Sequence, residues 1–267
     1  MKLTVLVDNN TYIDQYYFGE PALCFYMEDG DKTVLMDTGY SDIFIKNAAS
    51  LGKNLADVDY IVFSHGHDDH TKGIKYLEKQ DVPKAKVIAH PDCILPKYVG
   101  DLYVGSPYTE QQLDEKFGLV LSANPMQLSE NIWYLGHIPR VTDFEIASIG
   151  QKEKSGVKTD DYLDDDTALV CKSKDGLFII TGCSHSGICN ICEYAKKVCG
   201  EEKICGIIGG FHLFEDDEKL KKTVDYFVKN KIEKLYPCHC VSLKAKHRMM
   251  EKLAVNEVGV GLVLEIE

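Results

Sequence analysis

The chain of 267 residues contains no run approaching the ~18 consecutive apolar residues that a membrane-crossing helix requires. A helical membrane span is therefore not expected. Its first residues, MKLTVLVDNN, turn polar too soon for a secretory leader and read better as an opening strand. The expected location is the cytoplasm. Positive charge is scarce: 30 Lys and Arg stand against 42 Asp and Glu, for a net charge of −12. A field of that sign repels phosphate backbones, and the densest basic run, KAKHRMMEK (244–252), has the spacing of a solvated helix face. Nucleic acid is excluded as an expected partner. Linkers rich in Pro, Gly or Ser are lacking too, as are short-period repeats and low-complexity tracts. The expectation is one domain spanning 1–267, with a hydrophobic fraction of 45% to fill its core.

Cysteine, by contrast, is abundant, with ten in the chain. Without an export signal these are expected to be thiols rather than disulfides. Cys24, Cys93 and Cys171 lie in apolar contexts and read as small core residues. Cys189 and Cys192 form a CxxC within a helical pattern that has no matching second pair, which leaves structural zinc and simple packing both open.

Short β-rich runs are expected at 2–8, 22–28, 32–39, 59–64 and 85–90, with helices at 42–52 and 72–80. The segment 91–125 loosens into prolines and tyrosines around one helical piece at 109–117, the pattern of a substrate-binding insertion or lid. Strands resume at 131–137, 167–173 and 176–182. They are followed by a helix at 187–200, a strand at 203–210, an amphipathic helix at 216–230, a strand at 232–239, a helix at 243–253 and a last strand at 259–266. Each half begins with strands and continues with strand–helix alternation.

The densest chemistry is FSHGHDDHTKG, residues 63–73, directly after the apolar run Ile61, Val62, Phe63. His65 and His67 are one residue apart, so in a tight loop their imidazoles can converge on one ion, while Asp69 and His70 address a second. Two divalent cations would neutralise the carboxylate and hold the imidazoles as neutral ligands. A metal pair also lowers the pKa of a bridging water, giving hydroxide near neutral pH. The alternative is a histidine-rich surface loop, which the position between a buried strand and a helix argues against.

HxHxDH after DYIVFS, with VLMDTG before it, resembles the metallo-β-lactamase superfamily. TGCSHSGICN, GGFHL and PCHC together resemble one branch of it, the 7,8-dihydropterin-6-methyl-4-(β-D-ribofuranosyl)aminobenzene 5'-phosphate synthase-like proteins. The resemblance implies an α/β fold, a four-layer αβ/βα sandwich of two similar halves. It implies two divalent ions, zinc first with manganese and iron as alternatives. His65 and His67 would bind the first, and Asp69, His70 and His239 the second. Cys183 falls at the position of a bridging aspartate, and either it or His185 would complete the ligand set. His137 falls where many members place another histidine, and would either ligate or face the cleft. Asp37 would orient a ligand histidine or cap the following turn.

His212 follows two glycines at a strand end, where a catalytic or substrate-facing role competes with that of a satisfied core histidine. Asp69 is the other catalytic candidate. Arg140 is the candidate for holding a substrate anion, helped by free N–H groups at the helix start near Ser186 and Gly187. The acidic run Asp160, Asp161, Asp164, Asp165 and Asp166 reads as a solvated turn, and His247 as solvent-facing. His90 ends a strand and has a smaller claim on the site.

The expected activity is metal-dependent hydrolysis of a small, anionic, phosphorylated or cyclic ester. A transferase acting on a dihydropterin-type or ribofuranosyl-phosphate substrate is the alternative. From another class, a non-catalytic metal sensor would need its metal sites closed by protein ligands. Iron oxidoreductases of this superfamily carry an added flavin domain, for which the length leaves no room. A nuclease would want a basic groove, and a true β-lactamase an export signal.

Overall fold

The computed structural model describes residues 1–80 and 85–267. In the strand Cys24–Asp29, Phe25 and Met27 face one way and Cys24 and Tyr26 the other, and all four are buried. The strand Gly176–Thr181 repeats the pattern, with Phe178 and Ile180 opposed to Leu177 and Ile179. A strand buried on both faces must be covered on both, and this sets the layering.

Among the described residues the strands form two large sheets and a smaller one. The first runs in the order Val263–Glu265, Lys2–Val7, Cys24–Asp29, Lys32–Met36, Tyr60–Val62, Lys86–Ala89 and Leu119–Leu121. The second runs Lys234–Pro237, Ile204–Gly209, Gly176–Thr181, Ala168–Ser173, Ile132–Tyr134 and Met126–Gln127. Followed in chain order, both begin antiparallel and then turn parallel, from Lys32–Met36 onward in the first and from Gly176–Thr181 onward in the second.

Between the sheets Phe25, Met27 and Val62 meet Tyr134, Phe178 and Ile180 in one shared core. Outside the first sheet, Phe44 and Ala48 of the helix Ile43–Ser50 pack on Tyr26, Ile61 and Phe63. Outside the second, the helices Ile188–Cys199, Glu218–Lys229 and Leu243–Met250 cover Val170, Ile179 and Ile207. Each large apolar side chain so buried contributes about 1.5–3 kcal/mol. The result is the expected four-layer α/β arrangement. None of the described helices is long and apolar enough to cross a membrane.

Three local expectations change. Residues Lys72–Lys79 wind as a 3₁₀ helix rather than an α-helix. The stretch 91–125 is mostly irregular, but it adds strands to its expected helical piece: Leu119–Leu121 extends the first sheet, and the helix Glu110–Phe117 carries a capping box between Thr109 and Gln112. Lys97–Val99 and Leu102–Tyr103 join Gln151–Lys154 and Val157–Asp160 in the small sheet, a pairing between segments some fifty residues apart that local pattern cannot reveal. Cys189 and Cys192 lie on the buried face of the helix Ile188–Cys199, packed into the core, and no donor cluster among the described residues includes them. Their role is packing, and the structural-zinc alternative is set aside.

Candidate metal centre

The parallel strands deliver the chemistry. Just past their C-terminal ends lie Asp37, then Ser64 and His65, then Cys183 and His185, then His212, then His239. Such strand ends are where open α/β sheets present ligands. Four of these turns hold a non-glycine residue in the left-handed region: Asp37 (φ 60°), Ser184 (56°), His212 (48°) and His239 (51°). Backbone strain of this kind collects where a side chain must be aimed.

Two donor groups form side by side. His65, His67 and His185 make one, and Asp69, His70 and His239 make the other; within each, the donor atoms lie inside 4.8 Å of one another. Cys183 touches the second group, its Sγ 3.2 Å from His70 Nε2, and it also forms a cluster with His65 and His70.

Hydrogen bonds fix which nitrogen each ring offers. Asp37 Oδ2 lies 2.6 Å from His70 Nδ1, which therefore carries the proton and leaves Nε2 facing the site. Asn9 Oδ1, 3.1 Å from His239 Nδ1, does the same for His239, whose backbone N–H donates to Asp8 at 2.9 Å. Ser64 Oγ donates to Asp37 at 2.7 Å and so accepts from His65 Nδ1 at 3.0 Å. The Nε2 atoms of His70 and His239 then face each other at 3.2 Å, and His65 Nε2 faces His67 Nδ1 at 3.1 Å. His185 Nε2 is buried and has no hydrogen-bond partner. Ring nitrogens converging beside a carboxylate and a thiol fit divalent cations, which would displace the proton from His70 Nε2.

The electrostatics of the two groups differ. Burial, then neighbouring imidazoles, holds His65 and His185 well below the usual histidine value, and burial brings His67 down to about 4. Burial also opposes charge on His70, but Asp69 and Asp37 outweigh it and raise His70 to about 9. Asp69 is held below the usual carboxylate range: burial works against its charge, and His70 and His239 more than offset that.

Other predicted residues are distributed unevenly. His212 comes close, its ring centroid 4.7 Å from that of His185, and burial lowers it to about 4. His137 stays outside both donor groups, with Nδ1 3.1 Å from the Asp164 carbonyl and its ring 5.9 Å from His90. Arg140 donates to Asp164 Oδ1 at 2.8 Å and to the Tyr162 carbonyl, so its charge already has a partner. His247 is exposed, as expected.

Two readings are corrected. The helix start at Gly187 is not open to phosphate, because the buried Glu145 carboxylate accepts the N–H groups of Cys189 (2.9 Å) and Asn190 (3.1 Å). The acidic run is not a solvated turn either. Asp161, Asp165 and Asp166 are buried, and Lys97 Nζ reaches Asp161 at 2.6 Å and Asp165 at 2.9 Å. Asp165 in turn accepts the N–H of Gly66, between the two metal-loop histidines, at 2.8 Å. A side chain at Gly66 would put Cβ 2.0 Å from the Cys93 carbonyl and 2.7 Å from Lys97 Cε, so only glycine allows this contact. Lys97, Asp8, Asn9 and Ser64 were missed because each acts through a partner distant in sequence or through an ordinary-looking neighbour.

The model of the Metallo-beta-lactamase superfamily matches residues 17–239, and the chain belongs to that superfamily. An uncharacterized protein of Methanocaldococcus jannaschii is 36% identical over 93% of this chain and 94% of its own length. The 7,8-dihydropterin-6-methyl-4-(beta-D-ribofuranosyl)-aminobenzene-5'-phosphate synthase of the same organism is 28% identical, over 94% and 91%. The crystal structure of Tm1679, a metal-dependent hydrolase of the beta-lactamase superfamily, superposes with a TM-score of 0.87 at 29% identity, covering 100% of this chain and 99% of that one. The fold is thus that of superfamily metal-dependent hydrolases, with a His/Asp/Cys cluster suited to divalent metal at its strand ends.

Proposed function

We propose that the protein is a dinuclear metal-dependent hydrolase acting on a small, anionic, phosphorylated or cyclic ester in the cytoplasm. One observation carries this reading: two groups of three donors lie side by side, with Cys183 against the second. His65, His67 and His185 would hold one ion, and Asp69, His70 and His239 the other. Zinc is the expected metal, with manganese or iron as alternatives. When bound, the ions supply Lewis acidity and a water acidic enough to attack an ester near neutral pH.

The protein's own groups do the rest. Asp37 holds the His70 ring with Nε2 inward, and Ser64 does so for His65. The Asp69 side chain, 30% exposed, borders both its ligand partners and the cleft. His212 stays neutral and can share a hydrogen bond with substrate. Arg140 would meet a substrate anion only by sharing itself with Asp164. Neither nucleic acid nor membrane enters this reading.

A second reading, transfer onto a dihydropterin-type or ribofuranosyl-phosphate substrate, is favoured by the 28% identity to the named synthase. Metal analysis and turnover of phosphodiesters, lactones and phosphorylated pterins, compared in wild type and His67→Ala, test both. Two ions per chain and ester hydrolysis are expected, with one ion and most turnover lost in the variant. Full metal content and full turnover in His67→Ala would overturn the assignment. Turnover of a phosphorylated pterin only when an acceptor is supplied with it would select the transferase, and metal binding without any turnover the sensor.

A further inference from the structure

Neighbouring side chains on extended backbone point to opposite sides. His239 and Cys240 do not. The left-handed turn at His239 (φ 51°) brings both toward the second donor group, where a His239 ring nitrogen and the Sγ atoms of Cys183 and Cys240 all lie within 4.8 Å of one another. The neighbouring chain is shaped around the second sulfur. A Cβ on Gly210 would stand 2.4 Å from Cys240 Sγ and 2.6 Å from the Gly182 carbonyl, so the glycine at 210 leaves the space that this thiol fills. The backbone N–H of His212 donates to Cys240 Sγ at 3.3 Å, a bond that favours sulfur in its anionic, metal-binding form.

We infer that Cys240 is a further ligand of the second ion, so that Cys183 and Cys240 together give that ion a sulfur-bearing site. This rests on the dinuclear reading above. Thiolate donors beside imidazoles select borderline or soft cations such as zinc, cobalt or iron(II), and disfavour magnesium and calcium. On binding, the Cys240 S–H bond breaks, its proton passes to solvent and the freed electron pair forms the sulfur–metal bond; nothing is oxidised or reduced. Manganese, which prefers oxygen donors, becomes the weaker candidate for this position.

The test loads the metal-free full chain with cobalt(II) and follows the sulfur-to-cobalt charge-transfer band in the ultraviolet. Wild type, Cys240→Ser, Cys183→Ser and, as a control on the other group, His67→Ala are compared. Wild type should show the band. In Cys240→Ser the band should weaken, and affinity for one cobalt should fall by about tenfold or more, since groups one step behind a metal ligand already contribute 10–100-fold. His67→Ala should lose the other cobalt and keep the band. In the wild-type chain, iodoacetamide should modify Cys240 without cobalt and spare it once cobalt is bound, a readout that needs no variant to fold. Band and affinity unchanged in Cys240→Ser, with alkylation continuing at full cobalt loading, would overturn the inference and leave the dinuclear reading standing. A wild-type chain that takes up no cobalt would sink both.

Discussion

The two donor groups are neighbours built on different physics. The first, His65, His67 and His185, is three imidazoles held neutral chiefly by burial, with no carboxylate among them and Cys183 near His65 alone. The second carries Asp69, adjoins Cys183 and Cys240, and has Asp37 behind His70. Anionic ligands offset a cation's charge directly, whereas neutral ones leave more of it available to polarise substrate. On the proposed dinuclear reading, the second ion would be the firmly held one and the first the more labile.

The support beneath the first group gives the largest expected effect. Lys97→Met would leave Asp161 and Asp165 buried without their cation, and breaking such a pair typically costs 3–5 kcal/mol. Because Asp165 also fixes Gly66, chelator titration of the folded variant should show the first ion weakened before the second. Loss of the second ion first would break the comparison. Asp37→Asn acts on the other side. It should lower affinity for the second ion by roughly 10–100-fold and, because Asp37 reaches His65 only through Ser64, weaken the first by a smaller factor, as isothermal titration with zinc would reveal.

The smallest effect is in pH, in the metal-free protein. His67 and His212 sit near 4, below the ordinary 6.5, so the stability that depends on their neutrality is present above 6.5 and is lost as pH falls toward 4. His70, raised to about 9, contributes stability below 6.5 that is lost as pH rises through 9. Imidazole NMR should show His70 titrating far above His67. A shared midpoint would mean the two groups are not electrostatically distinct.

Legibility followed sequence distance. The loop 65–70 was readable because four donors in six residues after an apolar strand have few structural uses. His239, Cys183 and His185 were readable only through motif resemblance, since each is a lone residue at a strand end. Asp37 was anticipated as the partner that orients a histidine of the site, and the histidine it contacts is His70. Cys240 was passed over as one more thiol, because the backbone turn that aims it inward leaves no mark in composition. The acidic run misled for the same reason: five aspartates in seven positions look solvated until Lys97, more than sixty residues earlier, is found beneath them.

By itself the sequence determined the order of strands and helices, through its apolar periodicity, and the local half of the donor set, through the spacing of His65, His67, Asp69 and His70, while the layering was implied only by the family resemblance. Tertiary structure alone decided which distant groups join the two donor clusters, that Glu145 and not a ligand faces the N–H groups of the helix Ile188–Cys199, and that His137 stands apart. The reason is geometric. Side-chain periodicity is set by a residue's immediate neighbours, but the meeting of strand ends depends on how two whole sheets pack across a common core.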